Sequence, residues 1–173
     1  MTDMLKNCQL CPRACGADRT KSRGACGAGI EIEAARASLH FWEEPCISGT
    51  RGSGTVFFSG CSLGCVFCQN RKISRREAEG QNITADALAK TFLSLEKKGA
   101  HNINLVTGAH YVPQIIEALQ IARKQGLSLP VVYNSSGYEQ VETLQLLDGH
   151  IDIYLPDYKY YSSYYAGLYS HAE

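Results

Sequence analysis

The stretch that decides the fold spans residues 55–70. It has the sequence Thr55-Val56-Phe57-Phe58-Ser59-Gly60-Cys61-Ser62-Leu63-Gly64-Cys65-Val66-Phe67-Cys68-Gln69-Asn70. A short apolar run, typical of a buried strand, leads directly into three cysteines with Cys-x-x-x-Cys-x-x-Cys spacing. Thiolates are soft ligands that suit zinc and iron–sulfur clusters. A 4Fe–4S cluster held by three thiolates leaves one iron open, and an open position is typical of catalytic rather than structural metal sites.

This loop resembles the cluster loop of the radical S-adenosylmethionine (SAM) superfamily. Residues 42–49 and 52–61 narrow the resemblance to uncharacterised relatives of pyruvate formate-lyase activating enzymes. The resemblance extends to Tyr169 and implies a 4Fe–4S cluster held by Cys61, Cys65 and Cys68. It also implies that the open iron binds the amino and carboxylate groups of SAM. An electron from the cluster would then break a carbon–sulfur bond and yield a 5′-deoxyadenosyl radical for hydrogen abstraction.

Other classes of metal protein stay open from the residues alone. The loop could hold zinc or belong to an electron-transfer protein, although a ferredoxin more often shows Cys-x-x-Cys-x-x-Cys with a fourth cysteine nearby. The alternative to a radical SAM enzyme is therefore a non-catalytic metal-binding protein, or an inactive truncated fragment.

The composition indicates one main domain with neither a nucleic-acid nor a membrane partner. The chain has 173 residues, a formal net charge of zero and no long basic run. No apolar stretch has the length of a membrane span, and residues 1–7 lack a signal-peptide core. We therefore expect a cytoplasmic protein with reduced thiols. Its eight cysteines are then expected to bind metal rather than to form disulfides.

A second group of cysteines lies near the N-terminus and comprises Cys8, Cys11, Cys15 and Cys26. The surrounding residues are too few and too polar to form a core, so we expect a metal to hold them as a small knuckle. Zinc is the default metal for four thiolates, and an auxiliary iron–sulfur cluster is the rival. Free thiols are the alternative.

The rest of the chain alternates between strand and helix patterns. Apolar runs predict parallel strands that begin near Thr55, Ile103, Val131 and Ile151. Helical spacing predicts three helices between residues 84 and 149, with Thr84 as an N-cap and Pro113 in a first turn. A further short strand is predicted over residues 30–37. This alternation is typical of βαβ units and a parallel sheet.

In parallel α/β folds, ligands bind beyond the carboxyl ends of the strands. The residues that follow the four predicted strands are 61–68, 107–111, 134–138 and 156–159. These segments are rich in polar groups. The sequence therefore predicts an active site at this rim.

The resemblance implies a role for several residues at this rim. Phe67 takes the aromatic position that meets adenine, and Thr107-Gly108-Ala109 takes the place of a Gly-Gly-Glu whose backbone receives the SAM amino group. Here the first glycine is threonine and the glutamate is absent, so this segment lacks the acidic side chain of the pattern. Asn134 is placed to meet ribose or methionine. Asp157 and Lys159 resemble an Asp-x-Lys pair that contacts SAM, with Lys159 at its carboxylate. The alternatives are a core phenylalanine and a surface lysine.

Two further residues and one basic segment also give expectations. Cys46, the eighth cysteine, is expected to be a buried small residue near the site rather than a ligand. His110 is expected either to face the site or to be solvated. A solvated basic face or a docking surface for an acidic partner is expected from Arg71, Lys72, Arg75 and Arg76.

These predictions describe an α/β fold with a partial (βα)6-type radical SAM barrel. Residues 1–50 form the cysteine-rich segment and lead-in loop, and residues 51–173 form about four parallel βα units. Since the resemblance implies about six units, we expect a truncated barrel. Its open sheet edge would favour self-association.

The sequence does not identify the substrate. Activating enzymes act on a glycine of a partner protein, so the resemblance implies a protein substrate of the glycyl radical enzyme type. It also implies an electron donor such as flavodoxin or ferredoxin. Fold and cofactor alone do not fix either partner.

Overall fold

The computed structural model describes residues 2–78 and 80–172. Its strands are β1 (Ile32–His40), β2 (Ser53–Phe58), β3 (Gln81–Ile83), β4 (Ile103–Val106), β5 (Val131–Ser135) and β6 (Ile153–Pro156). Its α-helices are α1 (Pro45–Ser48), α2 (Arg71–Ser74), α3 (Ala85–Lys97), α4 (Val112–Lys124), α5 (Val141–Leu146) and α6 (Ser163–Ser170). Short 3-10 helices cover Thr2–Leu5 and Ala109–Tyr111.

The six strands form a single sheet in the order β3-β1-β2-β4-β5-β6. The strands β2, β4, β5 and β6 are parallel, which confirms the α/β class and the four predicted parallel strands. At the other side of β2, β1 and β3 extend the sheet in antiparallel fashion. Strand β1 comes from the predicted N-terminal segment, so one sheet includes residues from both sides of the proposed boundary at residue 50.

The two long helices pack on one face of the sheet and form the core with it. Helix α3 begins after Thr84, whose side-chain hydroxyl accepts a hydrogen bond from the backbone N–H of Ala87, 3.2 Å away. Its buried positions recur at helical spacing, and those of α4 do the same. None of the described helices is long and apolar enough to cross a membrane.

The opposite face of the parallel strands lines the candidate site. Because side chains alternate across a strand, residues in one register row point the same way. One such row crosses β2, β4, β5 and β6 near their carboxyl ends and comprises Phe57, Val106, Asn134 and Leu155. This row lines a cavity.

The sequence did not predict β3 or α6. Strand β3 has only three residues, too few for a periodic pattern. Helix α6 lies in the tyrosine-rich tail, where aromatic residues on all sides give no clear apolar stripe.

Candidate functional site

The carboxyl ends of the four parallel strands surround a cavity of about 810 Å³. Eight of the residues predicted for the site line this cavity. They are Cys61, Cys65, Cys68, Phe67, Thr107, Asn134, Asp157 and Lys159. The structure thus brings together segments that are up to about a hundred residues apart in the chain.

The cysteine loop lies at one side of this cavity and is tightly packed. Cys65 is buried, and Cys61 and Cys68 are half-buried beside it in a small cluster that includes Leu63. Burial raises the pKa of the Cys61 thiol, although nearby backbone N–H groups oppose the shift. Gly60, with φ of 88°, opens the loop, because a Cβ there would lie 2.5 Å from the carbonyl oxygen of Cys26.

The donor set fits an iron–sulfur cluster better than a single ion. Among the described residues, no group of three or more His, Cys, Asp or Glu is arranged to hold one metal ion. A single zinc ion needs ligands that converge on one point at about 2.3 Å. A 4Fe–4S cluster instead takes each thiolate on a different iron, so its ligands spread around a larger body. Three cysteines beside a large cavity match that requirement.

The residues predicted to meet SAM, except Gly108, line the same cavity as the cysteines. The Phe67 ring is 57% exposed and packs edge-on against Tyr160, with 6.0 Å between ring centres. The Lys159 ammonium donates to Asp157 at 2.5 Å. Burial opposes the charge of Lys159, but the hydrogen bond and the charge of Asp157 raise its pKa above the usual value. The positive charge near Cys65 is therefore paired with a carboxylate.

The segment in place of the family's Gly-Gly-Glu is only partly at the cavity. Thr107 lines it and has φ of 58°, the left-handed region that a β-branched residue rarely adopts. This conformation explains why glycine suits the position. Gly108 does not line the cavity; it packs beside Ile115 and Phe58, and a Cβ on it would lie 2.8 Å from the Ile115 side chain.

A second wall is built by the segment that joins β1 to α1. The sequence predicts this segment as a lead-in to a loop near the cluster but assigns it no site residue. His40, Trp42, Glu43 and Glu44 line the cavity. The Asn134 amide donates to one oxygen of Glu43 at 3.1 Å, and the His40 ring nitrogen lies 3.8 Å from the other oxygen. Burial raises the pKa of Glu43. Only the resemblance drew attention to this segment, and no periodic pattern placed it in the site.

Comparison with known proteins identifies the family to which the chain belongs. Residues 55–165 match the family model described as the radical SAM superfamily. The chain belongs to this superfamily. It is also 32% identical over 163 residues to an uncharacterised protein of Methanocaldococcus jannaschii, covering 91% of this chain and 47% of that protein. The chain thus spans about half the length of this curated relative. No solved structure matches.

Membership of the radical SAM superfamily implies a 4Fe–4S cluster and SAM as cofactors. The cavity walls on this chain fit both groups. The thiols of Cys61, Cys65 and Cys68 provide soft ligands at one side, and polar strand ends with an exposed aromatic ring lie beside them.

Two single-residue expectations were wrong. Cys46 is exposed rather than buried, because the one-turn helix α1 buries Ile47 and Ser48 instead. His110 neither faces the cavity nor is solvated. It is 4% exposed, and its ring hydrogen-bonds the carbonyl oxygen of Ser59 at 2.8 Å. Burial lowers the pKa of His110 to about 4, so the ring is neutral at pH 7.

The expected basic face is divided between surface and interior. Arg71 forms an exposed pair with Glu77. Arg76 instead reaches the buried carboxylate of Glu33 at 2.5 Å, and Arg75 donates to the carbonyl oxygen of Gly64 in the cysteine loop. Arg75 and Arg76 therefore serve the fold, which leaves a smaller charged face than predicted.

The four N-terminal cysteines lie near one another. The sulfur atoms of Cys15 and Cys26 both lie within 3.6 Å of the position that a Cβ on Gly24 would take. Cys8 is buried, and its sulfur lies 4.0 Å from the guanidinium of Arg19. Since the described residues contain no preformed single-ion site, the predicted knuckle is not shown as a metal centre.

Proposed function

We propose that this radical SAM protein reductively cleaves SAM and resembles pyruvate formate-lyase activating enzymes in its reaction. One observation carries the proposal. The three cysteines of the cluster loop border a cavity of about 810 Å³ whose adjoining wall is made of polar strand ends. An electron carrier needs no substrate-sized cavity beside its cluster, whereas SAM and a substrate need one.

The chain's own residues would hold and orient the cofactors. When bound, the cluster supplies one electron that splits SAM into methionine and a 5′-deoxyadenosyl radical, which takes a hydrogen atom from the substrate. Cys61, Cys65 and Cys68 are the cluster ligands. Phe67 would offer its exposed ring to adenine, and the Lys159 ammonium would bind the carboxylate of SAM. The contact with Asp157 and the location of both residues at the cavity support this role.

The partners follow from the same resemblance. We propose a protein substrate of the glycyl radical enzyme type, which would present a glycine to the cavity. A flavodoxin or ferredoxin would donate the electron. The uncharacterised relative carries no name that bears on either partner, so this part of the proposal rests on the likeness of residues 42–70 to activating enzymes.

The first experiment is anaerobic reconstitution with iron and sulfide. We expect about four irons per chain on the cluster loop. SAM is expected to change the paramagnetic resonance spectrum of the reduced cluster, and reduction is expected to release methionine and 5′-deoxyadenosine. The Cys61→Ala, Cys65→Ala and Cys68→Ala variants each lose the cluster, and the exposed Cys46→Ala serves as the matched control. A spectrum unaffected by saturating SAM leaves an electron-transfer role and contradicts the proposal.

We also propose that Cys8, Cys11, Cys15 and Cys26 bind a second metal, either zinc or an auxiliary iron–sulfur cluster. Arg19 supports this proposal, because it is 1% exposed and forms no ion pair with a carboxylate among the described residues. A buried guanidinium needs a compensating negative charge, and metal-bound thiolates beside Cys8 would provide it. Metal sites commonly form only as the metal binds, so a preformed geometry is not required.

Metal analysis of a variant that lacks Cys61, Cys65 and Cys68 tests this second site. We expect metal to remain bound in that variant and to disappear when Cys8, Cys11, Cys15 and Cys26 are also replaced by serine. If neither zinc nor iron remains in the first variant, the four N-terminal residues are free thiols.

A further inference from the structure

The wall formed by His40, Trp42, Glu43 and Glu44 lies outside the part of the chain that matches the superfamily, residues 55–165. We call it the lead-in wall. The cluster and SAM are common to the superfamily, so the residues that hold them are expected within the matched part. A cavity wall contributed from outside that part is suited to what differs between members, which is the substrate.

The cavity is lined by more carboxylates than lysine or arginine side chains. Of the described residues that line the cavity, three are carboxylates, namely Glu43, Glu44 and Asp157, and Lys159 is the one lysine. Lys159 is already paired with Asp157 at 2.5 Å. Among the residues that the structure describes, the carboxylates of the lead-in wall have no lysine or arginine partner within the cavity.

Glu43 is the better placed of the two lead-in carboxylates. Its side chain is only 13% exposed, whereas Glu44 is exposed. The Asn134 amide fixes one oxygen at 3.1 Å, and the His40 ring nitrogen lies 3.8 Å from the other oxygen. An ionised carboxylate has about four acceptor sites, so these contacts leave acceptors free toward the cavity.

We propose that Glu43 is a specificity-determining residue that binds a cationic nitrogen, an ammonium or guanidinium group, on the substrate. The proposal rests on the proposed function, since it concerns the substrate of the same cavity. A half-buried carboxylate held by an amide donor binds such a group through a charge-assisted hydrogen bond. The same contact in a partly desolvated cavity discriminates against neutral analogues.

The chain supplies its own reporter for the test. Trp42 is the only tryptophan in the sequence, lines the cavity next to Glu43 and is 89% exposed. Its fluorescence would be followed in the cluster-loaded, SAM-saturated protein under anaerobic conditions. The peptide probes are acetyl-glycyl-arginyl-glycinamide and its neutral citrulline isostere. The small-molecule probes are methylguanidinium and N-methylurea.

We expect the cationic member of at least one pair to bind about tenfold more tightly than its neutral partner, because a partly buried charge pair exceeds the strength of an exposed one. Preference in both pairs indicates recognition of the free group. Preference in the peptide pair alone indicates a polypeptide substrate. Glu43→Gln is expected to reduce the discrimination to less than about threefold, and Glu117→Gln, an exposed residue of α4, is expected to leave it unchanged.

Iron content and the SAM-dependent paramagnetic resonance spectrum of Glu43→Gln separate this proposal from the broader one. A normal spectrum with lost discrimination supports a substrate role for Glu43. A variant that keeps its iron but no longer responds to SAM places Glu43 at the cofactor and overturns the inference. Equal binding of charged and neutral probes by the unaltered protein also overturns it. Failure of the unaltered protein to respond to SAM counts against the proposed function instead.

Discussion

The backbone N–H of Cys61 donates a hydrogen bond to the carbonyl oxygen of Cys26, 3.3 Å away. This contact joins the first cysteine of the cluster loop to the last cysteine of the N-terminal group. Gly60 makes it possible, since any side chain there would collide with the same carbonyl. Cys26 of the N-terminal group is therefore packed directly against the loop proposed to hold the cluster, and a change in one is expected to move the other.

Arg13 strengthens this connection and can be tested separately. Its guanidinium donates to the carbonyl oxygens of Ser62 at 2.5 Å, Ser170 at 2.8 Å and His171 at 2.9 Å. It thus ties the cluster loop to the C-terminal end of α6. Arg13→Ala is expected to lower the free energy of unfolding by about 1–3 kcal/mol, because hydrogen bonds to a charged donor are lost. It is also expected to speed iron release to a chelator.

The matched control for Arg13 is Arg123→Ala. Arg123 forms an exposed pair with Asp152 at 3.4 Å, so its loss is expected to cost about 1 kcal/mol or less. Denaturant titration and the rate of iron release measure both variants. Equal iron release from the two proteins would show that Arg13 does not position the loop.

The strand-end half of the site was predictable from the sequence, and the reason is local. Apolar runs bounded by helix caps fix where β2, β4 and β5 end, so the residues that follow them must share one rim. The alternation of strands and helices was enough to predict that Asn134 lies at this rim. Its contact with Glu43 was not predictable, because the two residues are 91 positions apart and no periodic pattern connects them.

The residues whose positions were wrongly predicted also depend on contacts between distant parts of the sequence. His110 follows the rim pattern, yet the 3-10 helix Ala109–Tyr111 turns its ring under Ser59 and away from the cavity. Arg76 lies in a basic run, but Glu33 on a distant strand draws it inward. In both cases a hydrogen bond or ion pair with a residue far away in the sequence decides where the side chain points. The spacing of residues along the sequence does not reveal such a pair.

Phe67→Ala is expected to weaken SAM binding about tenfold while the iron content stays normal. The ring is 57% exposed in the cavity, and stacking of an aromatic ring on a nucleobase contributes about 1–3 kcal/mol. Equilibrium dialysis with SAM measures the affinity. Phe41→Ala is the control, since Phe41 is 54% exposed and does not line the cavity. Loss of iron in Phe67→Ala would instead assign the ring to the integrity of the loop.

Glu139 is expected to make stability depend on pH. Glu139 is half-buried, and Ser135 at the end of β5 donates to one of its carboxyl oxygens at 3.3 Å. Burial raises the pKa of Glu139 from 4.5 to about 7. The folded state therefore prefers the protonated carboxyl. The resulting stability is fully present below about pH 4.5 and is lost as the pH rises through 7.

Comparison of the unaltered protein with Glu139→Gln isolates this effect. From pH 5 to pH 8 the unaltered protein is expected to lose up to about 3 kcal/mol more unfolding free energy than the variant. Denaturant titration at the two pH values measures the difference. Parallel pH dependence of the two proteins would mean that Glu139 is ionised in the folded state at neutral pH.

The last prediction concerns β6, which ends the described sheet and pairs there with β5 alone. Its Ile153 is 38% exposed and its Tyr154 is 45% exposed. An edge strand with exposed apolar side chains is a template for pairing with another chain. We therefore expect concentration-dependent self-association in sedimentation velocity. Ile153→Lys is expected to reduce it, because a charge on the edge opposes strand pairing. Val141→Lys places the same charge on an exposed apolar position of α5 and is expected to leave association unchanged. A protein that stays monomeric at every concentration, or an equal response to both lysines, would rule out β6 as the associating edge.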